Sequence, residues 1–284
     1  MISEKTLFVA FDTETTGLSA GEGRVVEIAA LKFDINGQIL DRFAELVKPD
    51  IAIPESAQRI HGITDNEVAA CEGINIILPR FLEFITGDNI ILIAQNAVFD
   101  IGFINHEALR HKIELPEGVI WDQISLTRRI FPRLGSYGLE SVCRRFNLVD
   151  NQSHRAMADS VLVMKLFLHC LKEVGDRGKF LEILESLERY RFGGPMVSEP
   201  DAELMETISR AIESGTTMEI IYAGGSERDK PRPIIPVLFF IKNGVGYLTA
   251  KCLRSNIHKQ FRLDRIKQGR LINELLKLWF ICIP

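Results

Sequence analysis

The chain has 284 residues, enough for one large domain or two of moderate size. Its 46% hydrophobic and 25% charged residues are typical of a soluble globular protein, and no apolar run is long enough to span a membrane. The formal net charge of −4 gives the chain as a whole no excess of positive charge with which to attract a polyanion.

The beginning of the chain and its cysteines indicate the compartment. Residues 1–6 lead directly into an apolar run, so we expect no signal peptide. The five cysteines are scattered without a Cys-x-x-Cys pair, which argues against a zinc site and against a disulfide framework. We therefore expect a cytoplasmic protein with reduced thiols and no membrane partner.

Two carboxylates follow the first predicted strand. Leu7–Phe11 is a continuous apolar run, and Asp12 and Glu14 stand at its end. Residues two apart on a strand point to the same face, and two neighbouring carboxylates need a cation to stay ionised together. Residues 15–17 then turn the chain and offer backbone N–H groups to a phosphate or sugar. The alternative is a strand end with ordinary surface acids.

The next segments predict how the sheet begins. Val25–Phe33 reads as a strand, Asn36 and Gly37 as a hairpin turn, and Gln38–Val47 as the return strand. The sheet therefore begins antiparallel and later adds βα units. This mixed pattern disfavours a nucleotide-binding Rossmann fold, and no Gly-x-Gly-x-x-Gly follows the first strand.

A second acidic position follows another buried strand. Asn89–Ala94 predicts the strand, and Asn96 is a candidate N-cap for the helix after it. Asp100 then lies in the first turn of that helix, where the dipole favours a negative charge. The alternatives are that Asp100 only serves the dipole and that Phe99 belongs to the core.

The third segment opens a long helix with an apolar stripe at Val161, Met164, Leu168 and Leu171. Asp159 lies near its start, and His154 comes five residues earlier. On a helix this separation is roughly 140°, so the two would not share a face if both were helical. We place His154 on the preceding loop, from which it can reach a bound water as a general base. The alternative is a surface histidine.

Together these segments supply four carboxylates and one histidine. Hard divalent cations such as Mg²⁺ prefer oxygen ligands, and two of them about 3.5–4 Å apart can stabilise both oxygens of an in-line displacement at phosphorus. The combination, more than any one segment, predicts metal-dependent cleavage of a phosphodiester.

The same segments resemble the DEDDh (DnaQ-like) 3′–5′ exonucleases. The matching stretches are Phe11–Leu18, Gln95–Asp100 and His154–Asp159, with support from Val26–Ala30, Ile60–Thr64 and Ser136–Leu139. The resemblance runs over about residues 5–175 and implies an RNase H-like mixed α/β sheet in a domain of residues 1–176. Gln95 departs from the histidine that is frequent in the family, at a position that binds no metal.

The resemblance also implies roles. Two ions, Mg²⁺ or Mn²⁺, would be bridged by Asp12. Glu14 and Asp159 would hold the ion that activates the attacking water, Asp100 would help to hold the second ion, and His154 would be the general base. Five further residues are implied to grip the terminal nucleotide: Thr15, Leu18, His61, Asn96 and Phe99.

The rest of the chain predicts a helical segment and linker over 177–200, with a helix at Lys179–Arg191, and a β-rich domain over 201–284. That domain is predicted to open with a helix at 201–214, followed by strands at 218–222, 233–241, 246–252 and 259–263, with a hairpin at Asn243–Gly244. Residues 201–284 carry 13 Lys and Arg against 9 Asp and Glu, whereas residues 1–200 carry 21 against 29. Clustered positive charge from Lys251 to Arg270 is either a phosphate-contacting surface or a solvated strand face.

This second domain resembles the WYL domain over about residues 203–268. The matching stretches are Met218–Tyr222, Arg232–Pro236, Gly246–Cys252 and Gln260–Ile266, and Gly246 stands where the family's tryptophan is usual. The resemblance implies a small Sm-like barrel that binds nucleic acid or a nucleotide ligand. Candidate contacts are Tyr222, Tyr247, Arg254, Arg262 and Arg265; the alternative is that Tyr247 and Phe261 are simply core.

Our sequence-based interpretation is a divalent-metal-dependent 3′–5′ exonuclease that acts on single-stranded DNA in repair or proofreading. A polymerase or a repair protein is a possible partner. One alternative is an RNA exonuclease. Another is a nucleic-acid sensor in which the WYL-like domain controls a nuclease fold with little activity.

Overall fold

The computed structural model describes residues 6–149, 155–193, 202–224, 229–242 and 245–272. Contacts divide the chain into two units. The first comprises residues 1–16 and 23–196, and the second comprises residues 17–22 and 197–284.

The first unit alternates strands and helices after an antiparallel start. Its strands are Leu7–Thr15 (β1), Val25–Phe33 (β2), Ile39–Leu46 (β3), Ile90–Ala94 (β4), Ile120–Asp122 (β5) and Arg189–Tyr190 (β6). Its helices are Glu55–His61 (α1), Asp65–Val68 (α2), Ile74–Ile85 (α3), Ala97–His111 (α4), Gln123–Ile130 (α5), Leu139–Arg145 (α6), Ala156–Val174 (α7) and Arg177–Glu185 (α8).

The strands of the first unit form one mixed sheet in the order β3-β2-β1-β4-β5-β6. β1, β2 and β3 pair antiparallel, whereas β4 runs parallel to β1 and β5 parallel to β4. This topology confirms the predicted antiparallel start followed by βα units. It also brings the carboxyl ends of β1 and β4 side by side, because Phe11 is the partner of Ala94.

The two faces of β1 carry different layers. Phe8 packs against Phe167 of α7, with ring centroids 4.9 Å apart, and Phe11 packs on the opposite face against Phe81 of α3, at 5.8 Å. Side chains alternate along a strand, so Asp12 and Glu14 share the α7 face with Phe8. Thr13 shares the other face with Phe11.

Helix α7 buries only one residue of the predicted stripe, Met164, which is 6% exposed. Val163, Phe167 and Cys170 are fully buried, whereas Val161, Leu168 and Leu171 are only partly buried at the edge of the core. The helix is apolar on most of its circumference, so a spacing of three and four residues fits more than one face. Asp159 is four residues before Val163 and therefore lies on the buried face.

The chain after α7 differs most from the sequence-based expectation. The helix predicted over 179–191 ends at Glu185, and Arg189 and Tyr190 instead pair antiparallel with β5. Phe192, predicted to open a linker, is buried and lies 6.2 Å from the ring of Phe11. The backbone N–H of Gly193 donates to Asn105. The chain thus stays attached to the first unit as far as residue 193.

The second unit contains a helix and five strands. The helix is Ala202–Ser214 (α9), and the strands are Met218–Tyr222 (β7), Pro231–Lys242 (β8), Val245–Cys252 (β9), Ile257–Arg262 (β10) and Ile266–Leu271 (β11). They form an antiparallel sheet in the order β10-β9-β8-β7-β11. Ile208, Met218 and Leu248 are among the fully buried residues of its core.

Four predicted strands of this unit are present, and β11 is an addition to them. The predicted hairpin turn at Asn243–Gly244 lies outside the described residues, and closure of the sheet into a barrel stays a prediction. Among the helices that the structure describes, none is both long enough and apolar enough to cross a membrane.

Candidate active site

Three carboxylates converge where β1 meets the first turn of α7. Asp12 and Glu14 come from the same face of β1, and Asp159 comes from α7, which packs on that face. One ligand oxygen from each of the three lies within 4.8 Å of the others. All three side chains are half-buried. The structure therefore brings together three of the four acids that the sequence predicts as metal ligands.

The fourth acid, Asp100, approaches from the other layer of the sheet. It lies in the first turn of α4, is 2% exposed, and accepts hydrogen bonds from Thr13 N at 3.0 Å and Thr13 Oγ1 at 2.7 Å. Thr13 lies between Asp12 and Glu14 on β1, so these bonds tie α4 to the strand that carries two of the ligands.

The start of α4 is held by a residue that the sequence analysis did not identify. Asn96 is the residue before the helix, as predicted, but it has a left-handed backbone (φ 56°) and its side chain makes no capping hydrogen bond. Asp122 instead accepts from Ala97 N at 3.1 Å. Asp122 also caps α5 by accepting from Ser125 N at 2.8 Å. No local motif signals this bond, which joins residues 25 positions apart.

The electrostatics of the site fit a bound cation. Burial, with repulsion from Asp100, Glu14 and Asp159, raises the pKa of Asp12 well above its usual value. Burial and the charge of Asp159 raise the pKa of Glu14 to about 8. Burial raises the pKa of Asp100 to about 7, although the bonds from Thr13 oppose this. Carboxylates that repel one another in this way are stabilised in the ionised state by divalent cations with oxygen ligands.

The predicted general base, His154, lies outside the described residues. The two residues that follow it are described, and both contact Glu27 of β2. Glu27 belongs to the Val26–Ala30 stretch that supported the family resemblance, but no role was predicted for it.

The predicted nucleotide-gripping residues have different environments. Thr15 ends β1 and is buried, and His61 ends α1 and is 4% exposed. Burial lowers the pKa of His61, while the backbone of Thr15 and the charge of Glu27 oppose the shift. Phe99 is half-buried, 5.0 Å from the ring of Phe103. Leu18 belongs to the segment that clusters with the second unit, and it packs against the hydrophobic core of that unit.

In the second unit, three of the five predicted contact residues lie together. The backbone N–H of Arg262 donates to the Tyr222 hydroxyl at 3.3 Å, and Tyr247 is the cross-strand partner of Arg262. The guanidinium of Arg262 forms a two-bond pair with Asp264, at 3.0 and 2.6 Å. Arg254 and Arg265 are exposed, and Arg254 donates to the carbonyl of Pro231.

Packing explains why glycine occupies position 246, where related domains carry tryptophan. A Cβ atom added there would lie 2.8 Å from Leu263 Cδ1 and 3.2 Å from Phe239 Cε2. Contacts under 3.0 Å require a neighbour to move, so Leu263 fills the volume into which a side chain at 246 would point.

Sequence comparisons agree with this geometry. Residues 9–167 match the family described as Exonuclease (RNase_T), and residues 203–271 match the WYL domain. Over 173 residues the chain is 40% identical to DNA polymerase III subunit epsilon of Treponema pallidum (strain Nichols), covering 58% of this chain and 77% of that protein. It is 33% identical over 187 residues to the PolC-type DNA polymerase III of Listeria monocytogenes, covering 66% of this chain but 13% of that protein.

Solved structures share the fold. The E. coli exonuclease I in complex with a dA16 oligonucleotide aligns with a TM-score of 0.55 at 17% identity, covering 87% of this chain and 55% of that one. The nuclease domain of 3′hExo, a DEDDh family member bound to rAMP, aligns with a TM-score of 0.53 at 14% identity, covering 61% of this chain and 94% of that one. These likenesses confirm the RNase H-like mixed sheet. The chain belongs to the exonuclease family of the DnaQ-like type, and a WYL domain follows the exonuclease domain in the sequence.

Proposed function

We propose that this protein is a divalent-metal-dependent 3′–5′ exonuclease that removes nucleoside 5′-monophosphates from single-stranded DNA. The observation that carries the proposal is the convergence of Asp12, Glu14 and Asp159 within 4.8 Å, from two elements far apart in sequence. Asp100 stands buried beside them, bonded to Thr13. Membership of the exonuclease family supports the same chemistry.

The site residues have different roles in the proposed reaction. Asp12, Glu14, Asp100 and Asp159 would hold two ions, Mg²⁺ or Mn²⁺, which supply positive charge to the phosphorus centre and to both reacting oxygens. Thr13 orients Asp100 through two hydrogen bonds. His154 takes the proton from the attacking water. Thr15, His61, Asn96 and Phe99 would hold the terminal nucleotide.

DNA is the favoured substrate because the relatives with 32% to 40% identity are subunits or forms of DNA polymerase III. This supports a role in proofreading or repair in the cytoplasm, with a polymerase or repair protein as partner. The shared fold does not discriminate between sugars, because its members include proteins in complex with a DNA oligonucleotide and with rAMP.

The second unit would help to hold the nucleic acid. Residues 201–284 have four more basic than acidic residues, whereas residues 1–200 have eight more acidic than basic residues. Exposed Arg254 and Arg265, and Arg262 with Tyr222 and Tyr247, give this unit the cations and rings that single-strand binding uses.

Two alternatives remain testable. An RNA exonuclease would require contacts to the 2′-hydroxyl near Thr15, His61 and Asn96. A sensor with little nuclease activity would have no need of a complete set of ligands. The four acids are present, and three of them are assembled, which favours an active enzyme.

The test is degradation of 3′-blocked and unblocked oligonucleotides of DNA and RNA, with Mg²⁺, Mn²⁺ or EDTA. We expect stepwise release of mononucleotides from unblocked DNA that needs a divalent ion and is lost in Asp12→Ala and His154→Ala. Asp41→Asn, which changes an exposed acid on β3, is the matched control and should be fully active.

Each other result has a definite meaning. Preferred degradation of RNA would select the first alternative. Binding of the oligonucleotides without cleavage of any of them would support the sensor alternative. Cleavage of blocked ends, or cleavage that persists in EDTA, would contradict the proposed mechanism.

A further inference from the structure

One segment of the first unit is strongly basic and has no part in the proposed chemistry. Residues 123–149, which include α5, α6 and the loop between them, contain five arginines, no lysine and a single acid, Glu140. The rest of residues 1–200 contains 16 basic residues against 28 acidic ones. The segment is therefore a local exception in an acidic part of the chain.

The five arginines differ in their contacts. Arg128 lies over the ring of Tyr137, 4.8 Å from its centroid, and Arg144 pairs with Glu140 one turn earlier on α6. The other three are exposed and form no ion pair with any residue that the structure describes: Arg129, Arg133 and Arg145. Their charges are thus available to a partner in solution.

Helix dipoles account for only part of this pattern. Arg129 lies in the last turn of α5 and Arg145 in the last turn of α6, where a positive charge is favoured. Arg133 belongs to neither helix, because α5 ends at Ile130 and α6 begins at Leu139. A structural role at helix ends therefore does not explain why Arg133 is an arginine.

Hydrogen bonds fix the loop that carries Arg133. The Tyr137 hydroxyl donates to the Phe131 carbonyl at 2.7 Å and accepts from Leu134 N at 3.3 Å. The Tyr137 carbonyl in turn accepts from Gln95 Nε2 at 2.9 Å. The loop is thus closed by its own tyrosine and attached to the end of β4.

The attachment point lies next to the carboxylates. Gln95 directly follows β4, and Asp12 occupies the equivalent position on the neighbouring parallel strand β1. Arg133 is four residues from Tyr137, and a chain spans at most about 3.6 Å per residue, so its backbone lies within about 14 Å of the attachment point. The basic segment therefore begins at the same end of the sheet as the candidate active site.

We infer that Arg129, Arg133 and Arg145 form a phosphate-contacting surface that holds single-stranded DNA on the 5′ side of its terminal nucleotide. The inference rests on the proposed function, which puts the terminal phosphodiester at the carboxylates. The rest of the strand must then leave the site across the neighbouring surface, although the carboxylates repel its phosphates. Exposed arginines fixed at the same end of the sheet offset this repulsion.

Binding of a DNA oligonucleotide, measured by fluorescence anisotropy in EDTA at several salt concentrations, tests the surface. We expect each of Arg129→Ala, Arg133→Ala and Arg145→Ala to weaken binding about two- to fivefold and to lower the slope of log Kobs against log salt by about 0.7. Arg42→Ala, which changes an exposed arginine on the edge strand β3, is the matched control and should leave the slope unchanged.

Oligonucleotides with one neutral methylphosphonate linkage show whether the contact is direct. The linkage is moved one position at a time from the 3′ end, and Kd is measured for the unchanged protein and for Arg133→Ala. At one linkage near the 3′ end, neutralising the phosphate should weaken the unchanged protein about two- to fivefold but Arg133→Ala less than about 1.5-fold, because the contact is already lost.

The outcomes separate this inference from the proposed function. Unchanged salt slopes for the three variants, with or without a lower melting temperature, would overturn the inference and leave the arginines a structural role. Losses that multiply at every linkage would also overturn it, since Arg133 would then contact none of those phosphates. Because binding is measured without a divalent ion, failure to cleave any substrate would overturn the proposed function and leave the binding results intact.

Discussion

At the scale of single residues, the acidic cluster lowers the stability of the metal-free protein and supplies the ligands for metal binding. Asp12 repels Asp100, Glu14 and Asp159 at close range, and burial weakens the compensation from water. Such a cluster destabilises the folded protein until cations bind, so the metal should act on folding as well as on catalysis.

We predict that Asp12→Asn raises the melting temperature of the metal-free protein, because it removes one of the repelling charges. It should also abolish stabilisation by Mg²⁺, which for the unchanged protein amounts to about 2.7 kcal/mol at a free-ion concentration a hundred times Kd. Thermal denaturation in EDTA and in Mg²⁺ measures both effects. Asp41→Asn should melt like the unchanged protein, and equal Mg²⁺ stabilisation of Asp12→Asn would contradict the prediction.

His61 predicts a separate dependence on pH. Burial lowers the pKa of its imidazole in the folded state, and Nδ1 accepts from Ile63 N at 3.0 Å, as a neutral ring can. The unfolded chain therefore binds the proton more readily, so the contribution to stability is complete above about pH 6.5 and is lost as the pH falls through the lower folded pKa.

We expect His61→Gln to lose less unfolding free energy than the unchanged protein between pH 7.5 and pH 5. Urea denaturation at the two pH values measures the difference. His258→Gln, which changes an exposed residue of β10, is the control. Identical pH slopes for His61→Gln and the unchanged protein would show that His61 does not titrate in this way.

Sequence reasoning was strongest for residues that belong to motifs. Asp12, Glu14 and Asp159 were predicted as a group, and the structure places them together. Asp122 and Glu27 were missed because each acts through a partner far away in the chain, and no local spacing records such contacts. The role of His154 stays a prediction.

At the scale of elements, Asp122 links two helices to the end of β5. It caps α4, which carries Asp100, and it caps α5 through Ser125 N and Ser125 Oγ. It is 8% exposed, so its bonds have little competition from water. Losing this residue leaves a buried donor at the start of α4 and partly buried donors at the start of α5 without this acceptor.

We predict that Asp122→Ala lowers the free energy of unfolding by about 2–4 kcal/mol, because two caps and a buried acceptor are lost. Asp176→Ala removes the single exposed cap of α8 and should cost about 1 kcal/mol. Urea denaturation compares the two. A loss for Asp122→Ala no larger than that for Asp176→Ala would contradict the shared-cap interpretation.

Elements with regular patterning were predictable, and those specified by tertiary pairing were not. β2 was predicted with its observed bounds, because Val25–Phe33 is an almost unbroken apolar run. β11 was missed because a bulge between Ile266 and Gln268 breaks its alternation. β6 has two residues, and its pairing with β5 defines it.

At the scale of the whole molecule, charge is distributed unevenly along the chain. The catalytic part is acidic and the part that follows residue 200 is basic. In the proposed scheme the second part supplies affinity through phosphate contacts, which release counterions and therefore depend on salt.

We predict that Arg265→Ala weakens binding of single-stranded DNA about two- to fivefold and lowers the slope of log Kobs against log salt by about 0.7. The rate at saturating DNA should be unchanged. Fluorescence anisotropy in EDTA at several salt concentrations measures the slope. Lys172→Ala, an exposed lysine in the last turn of α7, is the control, and equal slopes for the two variants would argue against phosphate contact at Arg265.

The organisation into an exonuclease fold and a β-rich module could be predicted from motif order and resemblance. Closure of the second sheet into a barrel rests on the resemblance alone and stays a prediction, because it depends on how strand ends meet and not on the pattern within a strand. The packing of Phe192 against Phe11 was not predicted, since a Phe-Gly-Gly sequence usually indicates a flexible connection.

The close approach of Leu263 to Gly246 also has an evolutionary consequence. Two positions that share one volume cannot change independently, because a large side chain at either excludes one at the other. Among related WYL sequences, tryptophan at position 246 should therefore occur with a residue smaller than leucine at position 263. Glycine at the first position should accompany a branched or bulky residue at the second, so that the two columns of an alignment covary in size.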